Sequence, residues 1–171
     1  VTRAIGATLS IVLIVGALQK LRDQVVFAAA VENYGLVPEA ILPLVALALP
    51  LVELAAGVLL LFPETCLVGG ALALLLLTVV TSAVVINLLR GNAQIDCGCG
   101  GLSSQPLSWA LVGRNALLMV LAGIAMQESI GRDLVWADYF TVAGAVLALV
   151  GLYVSVNQLM TTAPLALAVR K

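Results

Sequence analysis

The sequence predicts an all-α, polytopic transmembrane helical bundle of five spans. Composition is the first reason. Of 171 residues, 63% are hydrophobic and 10% charged, against about 25% charged in a soluble domain. The second is a mean hydropathy of +1.17, which leaves too few polar groups to cover a surface in water. The third is pattern: the apolar runs approach the roughly 20 residues a helix needs to cross a bilayer, and short polar stretches separate them. No alternating strand pattern and no solenoid repeat interrupts them. Residues 1–171 read as a single transmembrane domain with the lipid bilayer as its main partner. A net charge of −1 gives no case for nucleic acid.

The first span covers about 4–20 and closes with Gln19-Lys20-Leu21-Arg22-Asp23. It is short, so Lys20 or Arg22 is expected to snorkel at the interface. No small-residue cleavage site follows it, and it reads as a retained span rather than a signal peptide. In residues 24–36, Phe27, Val31 and Tyr34 recur at helical spacing. That is either an amphipathic helix lying in the interface or a continuation of the first span. Gly35 and Pro38 end it. The second span, about 39–62, contains Pro43, Pro50, Glu53 and Gly57. Prolines are tolerated there because neighbouring helices re-satisfy the freed carbonyls. Pro63-Glu64-Thr65 makes a tight turn into the third span, about 66–89, which carries Asn87 near its end. A loop over about 91–107 follows, with Ser108 as N-cap of the fourth span. That span, about 108–126, contains Arg114 and Asn115. A polar connection leads to the fifth, about 138–160. Small residues such as Ala55, Ala56, Gly57, Gly69, Gly70, Ala71, Gly144 and Gly151 suggest close helix packing.

The loop holds the most distinctive stretch, Asp96-Cys97-Gly98-Cys99-Gly100-Gly101. Two thiols one residue apart can close a small, strained disulfide when the residue between them is permissive, and Gly98 is the most permissive choice. Strain raises the reduction potential and makes such a bond labile, the property of a catalytic or regulatory pair. Gly100 and Gly101 let a partner approach the sulfurs. The competing reading is two structural cysteines in a glycine-rich turn, although inert thiols normally sit in apolar surroundings. Two thiolates make half a soft-metal site, and with no histidine in the chain no metal is assigned. Cys66 begins the third span, about 23 residues or roughly 35 Å from the loop. It cannot pair with Cys97 or Cys99 and reads as an interface filler.

Lys20, Glu53, Asn87, Arg114 and Asn115 form a second constellation. Ionisable residues at membrane depth face the bundle interior and tend to pair. Glu53 with Arg114, or Glu53 with Lys20, would put a polar pocket beneath the cysteine loop. Such a pair is either purely structural, fixing helix register, or functional. A functional pocket would raise the thiolate fraction of a cysteine or hold a small acceptor such as a quinone head group. Beyond the quinone no cofactor is assigned, and cofactor-binding residues are left open.

These features resemble the MauE family, methylamine-utilisation accessory membrane proteins that belong with the DoxX-like redox-associated membrane proteins. The resemblance runs over most of residues 18–125. It rests on Lys20 with Phe27, Tyr34 and Pro38; on Pro50-Leu51-Val52-Glu53-Leu54 with Gly57; and on Arg90-Gly91. Its most specific parts are the Asp96–Gly101 stretch and Arg114-Asn115; family members typically have Phe where this chain has Gly100. The resemblance implies a four-helix DoxX-like core with an additional span. It also implies thiol–disulfide handling outside the cytoplasm of a bacterium, beside a thioredoxin-like partner, in maturation of disulfide-containing proteins. The sides differ: Lys20, Arg22, Arg90 and the Arg170-Lys171 tail share the cysteine side, which the positive-inside rule would put in the cytoplasm. The resemblance implies an exoplasmic loop on the inner membrane, and that is the expectation adopted.

The sequence therefore points to a membrane-embedded thiol–disulfide redox protein with Cys97 and Cys99 as the reacting pair. Lys20, Glu53, Asn87, Asp96, Gly98, Gly100, Gly101, Arg114 and Asn115 support it. Its partner is a thioredoxin-like or substrate thiol protein. From another class, the chain would be a non-catalytic accessory subunit of a larger membrane complex, touching other membrane subunits, with the cysteines stapling a loop. A carrier built on the Glu53 pocket is disfavoured by the lack of an inverted repeat.

Overall fold

The computed structural model describes residues 2–95 and 107–126, with the isolated positions 144, 147 and 151. Over these residues the chain forms α1 (Thr2–Arg22), α2 (Gln24–Asn33), a 3-10 turn (Glu39–Ile41), α3 (Leu42–Leu59), α4 (Cys66–Leu89) and α5 (Trp109–Ala125). No strand occurs among the described residues. The expected fifth span lies outside them. By length and composition α1, the 3-10 turn with α3, and α4 can each cross a membrane. At 17 residues α5 sits at the lower end of the spanning range.

The breaks between helices follow from local chemistry. Asp23 departs from helical geometry at φ −116°, ψ 56° and separates α1 from α2. α2 is thus its own short helix, and it turns Phe27, Ala30, Val31 and Tyr34 inward while Val25 and Val26 stand 85% and 64% exposed. Gly35 takes φ +61°, a conformation that favours glycine, and ends the segment. Pro43 occupies the first turn of α3, where a missing N–H costs nothing. Pro50 lies buried inside α3, and the helix runs on through it. The expected second span overshoots here, because Leu60–Phe62 already belong to the turn. Thr65 closes that turn, its hydroxyl donating to the Leu59 carbonyl at 2.8 Å. Gly91 at φ +81° follows the end of α4. Ser108 precedes α5 in extended conformation, and its side chain makes no capping hydrogen bond.

The four long helices close into a ring. α1 lies against α3 and α5, and α4 lies against α3 and α5. α2 folds back along α3. Lipid tails are as apolar as leucine, so burial alone does not hold such helices together; close contact and internal hydrogen bonds must. A β-carbon on Gly57 would stand 2.8 Å from Ile14 Cγ1, so α1 and α3 touch backbone to backbone there. Ser10 on α1 donates to the Gly57 carbonyl at 2.6 Å across that contact. Gly69 brings α4 equally close to Leu59 and Leu60. The outward faces carry Leu75, Val79 and Leu117, as lipid requires.

Two apolar cores stack along the bundle axis. One joins Leu9, Leu13, Ala56, Leu60, Ala73, Leu77, Leu118, Ala122 and Ala125. The other joins Val84, Leu107 and Leu111, with Tyr34 and Ile95 against them, at the end where α4 finishes and α5 begins. Between them, at the level of residues 76–80 on α4 and 114–118 on α5, the interior turns polar.

Candidate functional site

Lys20 stands in the last turn of α1 and Glu53 deep in α3. The 3-residue and 4-residue spacing that turns Leu9, Leu13 and Ala17 inward also aims Lys20 at the bundle interior. Its Nζ lies 2.5 Å from Glu53 Oε2, with the two side chains 15% and 11% exposed. Lys20, one of the two expected partners, pairs with Glu53. Arg22, not Lys20, is the exposed cation at the end of α1.

Two further residues shape the pair. The Lys20 ammonium sits 5.7 Å from the centre of the Phe27 ring, within cation–π range, which ties α2 to the end of α1. Gly16, one turn before Lys20, lets the carboxylate lie against α1: a β-carbon there would be 3.0 Å from Glu53 Oε1. The sequence reading missed Gly16. Its signal was a glycine four residues before a buried lysine, on the same helix face.

From α5, Arg114 and Asn115 reach the same interior. Together with Lys20 and Glu53 they line a cavity of about 90 Å³ whose other walls include Phe27, Leu49, Leu76 and Val80. Asn115 donates to Thr81 Oγ1 on α4 at 3.2 Å, a tie that spacing alone does not reveal. Arg114 lies about five residues, or roughly 8 Å, along α5 from its start. The cavity is smaller than the cavity of about 150 Å³ that admits a benzene ring. As it stands it has room for a few waters and not for a quinone head group.

Asn87 stands apart from this cavity. It is fully buried at the end of α4 and donates to the carbonyls of Tyr34 and Ala83, each at 3.2 Å. Asn92 donates back to its side-chain oxygen at 3.4 Å. Asn87 thus joins α4, the end of α2 and the strand of chain leaving α4. Just beyond, the Leu107 amide donates to the Ile95 carbonyl at 3.1 Å. The two ends of the 96–106 stretch meet there. Asp96, Cys97, Gly98, Cys99, Gly100 and Gly101 themselves lie outside the described residues. Cys66 is at the opposite end of the bundle, its thiol donating to the Ala125 carbonyl at 3.4 Å. That agrees with its exclusion from any pairing with the loop and adds a structural contact to its role as filler.

The family model described as "Methylamine utilisation protein MauE" matches residues 1–127, ending just past α5. Three proteins called methylamine utilization protein MauE are similar to the chain. The one from Paracoccus denitrificans is 41% identical over 121 residues, covering 70% of this chain and 64% of that protein. The one from Paracoccus versutus is 38% identical over 161 residues, covering 91% and 85%. The one from Methylorubrum extorquens is 41% identical over 124 residues, covering 71% and 66%. The chain therefore spans under two thirds of the length of the first of these relatives. No solved structure matches.

Proposed function

The chain belongs to the methylamine utilisation protein MauE family, and from that premise we propose that it is a membrane-embedded thiol–disulfide redox protein serving methylamine utilisation. It acts through Cys97 and Cys99, beside a thioredoxin-like partner, in maturing disulfide-containing proteins. Its seat is the bacterial inner membrane, with the cysteine loop on the exoplasmic side.

One observation carries the reading. The bundle holds a charged cavity, with Lys20, Glu53 and Arg114 on its walls, on the side where Ile95 and Leu107 close the base of the cysteine loop. A thiolate, not a thiol, is the nucleophile, and nearby cations raise its fraction. Lys20 and Arg114 supply cations one apolar layer below that loop base, beneath Val84, Leu107 and Leu111, and Asn87 fixes the chain leaving α4.

The exchange proceeds in two displacements. One loop thiolate attacks a partner disulfide, forming a mixed disulfide and releasing the partner's other sulfur as a thiolate. The second loop thiolate then attacks the loop sulfur of that mixed bond. Cys97 and Cys99 become joined and the partner leaves as a dithiol. Two electrons pass from loop to partner, and the two thiol protons end on the partner's sulfurs. Run backwards, the loop disulfide oxidises a partner dithiol. The two reduction potentials set the direction.

The test is trapping. Cys97→Ser and Cys99→Ser, made singly, should each leave one thiol able to accumulate a mixed disulfide with an exoplasmic thioredoxin-like protein. If neither traps a partner and the double variant supports growth on methylamine as well as the parent, the redox reading is wrong.

A reading as an accessory subunit draws on a different observation. Gly113 and Gly123 stand in open space on the outward side of α5. Small residues exposed on a spanning helix suit another helix better than lipid. Stoichiometric copurification with other membrane subunits, combined with function indifferent to thiol reagents, would favour that reading.

A further inference from the structure

Several polar atoms around the central cavity keep hydrogen-bonding capacity after their protein contacts are made. An ammonium has three N–H donors, and Lys20 gives one to Glu53 Oε2. Glu53 accepts that bond at Oε2, and its Oε1 lies over Gly16, which also lines the cavity. Asn115 donates to Thr81 and keeps a carbonyl oxygen. Donors and acceptors thus share one small space, and the ligand that satisfies both is water. About 90 Å³ holds a few waters, each needing two to four polar partners.

From this geometry we infer that the cavity is a hydrated proton-transfer site within the membrane, with Glu53 as the group that takes up and releases the proton. A hydronium among the cavity waters gives its proton to the Glu53 carboxylate and is left as water. In reverse, the acid returns the proton to a cavity water, which leaves as hydronium. Lys20 holds the carboxylate in place through Oε2. Among the described residues, the charged groups that line the cavity with Glu53 are Lys20 from α1 and Arg114 from α5; α2 and α4 contribute Phe27, Leu76, Leu77 and Val80, none of which titrates. Intramembrane carboxylates on a bundle interior commonly serve proton paths. Leu49 and Val80 are among the apolar residues that line the space.

The inference stands apart from the thiol chemistry, so its test uses a Cys97→Ser/Cys99→Ser background in lipid nanodiscs. After a jump to low pH, infrared spectroscopy follows the carboxylic acid C=O stretch, and subtraction of Glu53→Gln isolates the Glu53 band. That band should rise, shift when the jump is made in D2O, and fall again when the pH is restored. Leu49→Phe, which fills the cavity without touching a charge, should slow the rise several-fold. The proposal is overturned by a Glu53 band that stays insensitive to pH and D2O while exposed carboxyls respond. It is equally overturned by an unchanged rate in a folded Leu49→Phe protein.

Discussion

Lys20 and Glu53, thirty-three residues apart, meet at 2.5 Å inside the bundle and fasten the end of α1 to the middle of α3. Removing one partner strands a charge, and breaking a buried pair costs about 3–5 kcal/mol. Glu53→Leu should therefore destabilise the protein by roughly that much. Lys20→Met/Glu53→Leu should recover most of the loss, since an apolar replacement of both partners is often neutral. Chemical denaturation in detergent, read by helical circular dichroism, gives the double-mutant cycle. Under the proposed function the stable double variant should still slow thiol exchange, because one of the two cations of the cavity, Lys20, is gone while Arg114 remains.

The carboxylate needs Gly16. Gly16→Ala places a methyl 3.0 Å from Glu53 Oε1 without altering any charge. The carboxylate is the mobile end of its side chain, so the expected loss is small, about 1 kcal/mol. Gly113→Ala is the control: nothing lies within reach of its new β-carbon, and alanine suits a helix better by about 1 kcal/mol. The same propensity gain applies at Gly16, so the Gly113→Ala protein should melt higher than the Gly16→Ala protein by the cost of the Glu53 contact.

Gly57 is more demanding. An added β-carbon would meet Ile14 Cγ1 at 2.8 Å and the Ser10 carbonyl oxygen at 3.2 Å, and the second of these is backbone. Gly57→Ala should cost about 1–3 kcal/mol and weaken the Ser10 hydrogen bond with it. Ser10→Ala alone should cost about 0.6 kcal/mol, the usual worth of such a bond between membrane helices. If Ser10→Ala proves the more damaging, close approach is not what holds α1 to α3.

Most of the helices were legible because their causes are local. α4 coincides with the expected third span, since a proline turn and a glycine bound it. The separation of α2 from α1 was left open between two readings. It is decided by a single non-helical residue, Asp23, that no apolar period marks. At the site, depth alone marked Glu53, Arg114, Lys20 and Asn115 as inward-facing. Depth could not choose the partner of Glu53, because the choice depends on Gly16 making room and on which helices are neighbours in the ring. Asn87 was grouped with the charged residues by proximity along the axis. In three dimensions it belongs to the joint with Tyr34 and Asn92.

That joint gives a prediction about the loop base. Asn87→Leu removes the bonds to Tyr34 and from Asn92 and leaves the Tyr34 carbonyl without that donor. The expected destabilisation is about 1–3 kcal/mol. Amide hydrogen exchange at Asn92 should quicken relative to the α1–α3 contact, which does not depend on Asn87. Uniform quickening across the bundle would mean that Asn87 supports the whole fold rather than this joint.

Cys66 offers the complementary case. It sits at the far end of α4 from the cysteine loop, where its thiol donates to the Ala125 carbonyl. A thiol hydrogen bond is weak, and serine can make a stronger one to the same oxygen. Cys66→Ser should therefore change stability by less than about 1 kcal/mol. Under the proposed function it should also leave the yield of mixed disulfide in a Cys97→Ser or Cys99→Ser background unaltered. A loss of trapping on that one substitution would make Cys66 part of the exchange. It would then require contact between two copies of the chain, since a helix of 24 residues keeps the two ends of one copy apart.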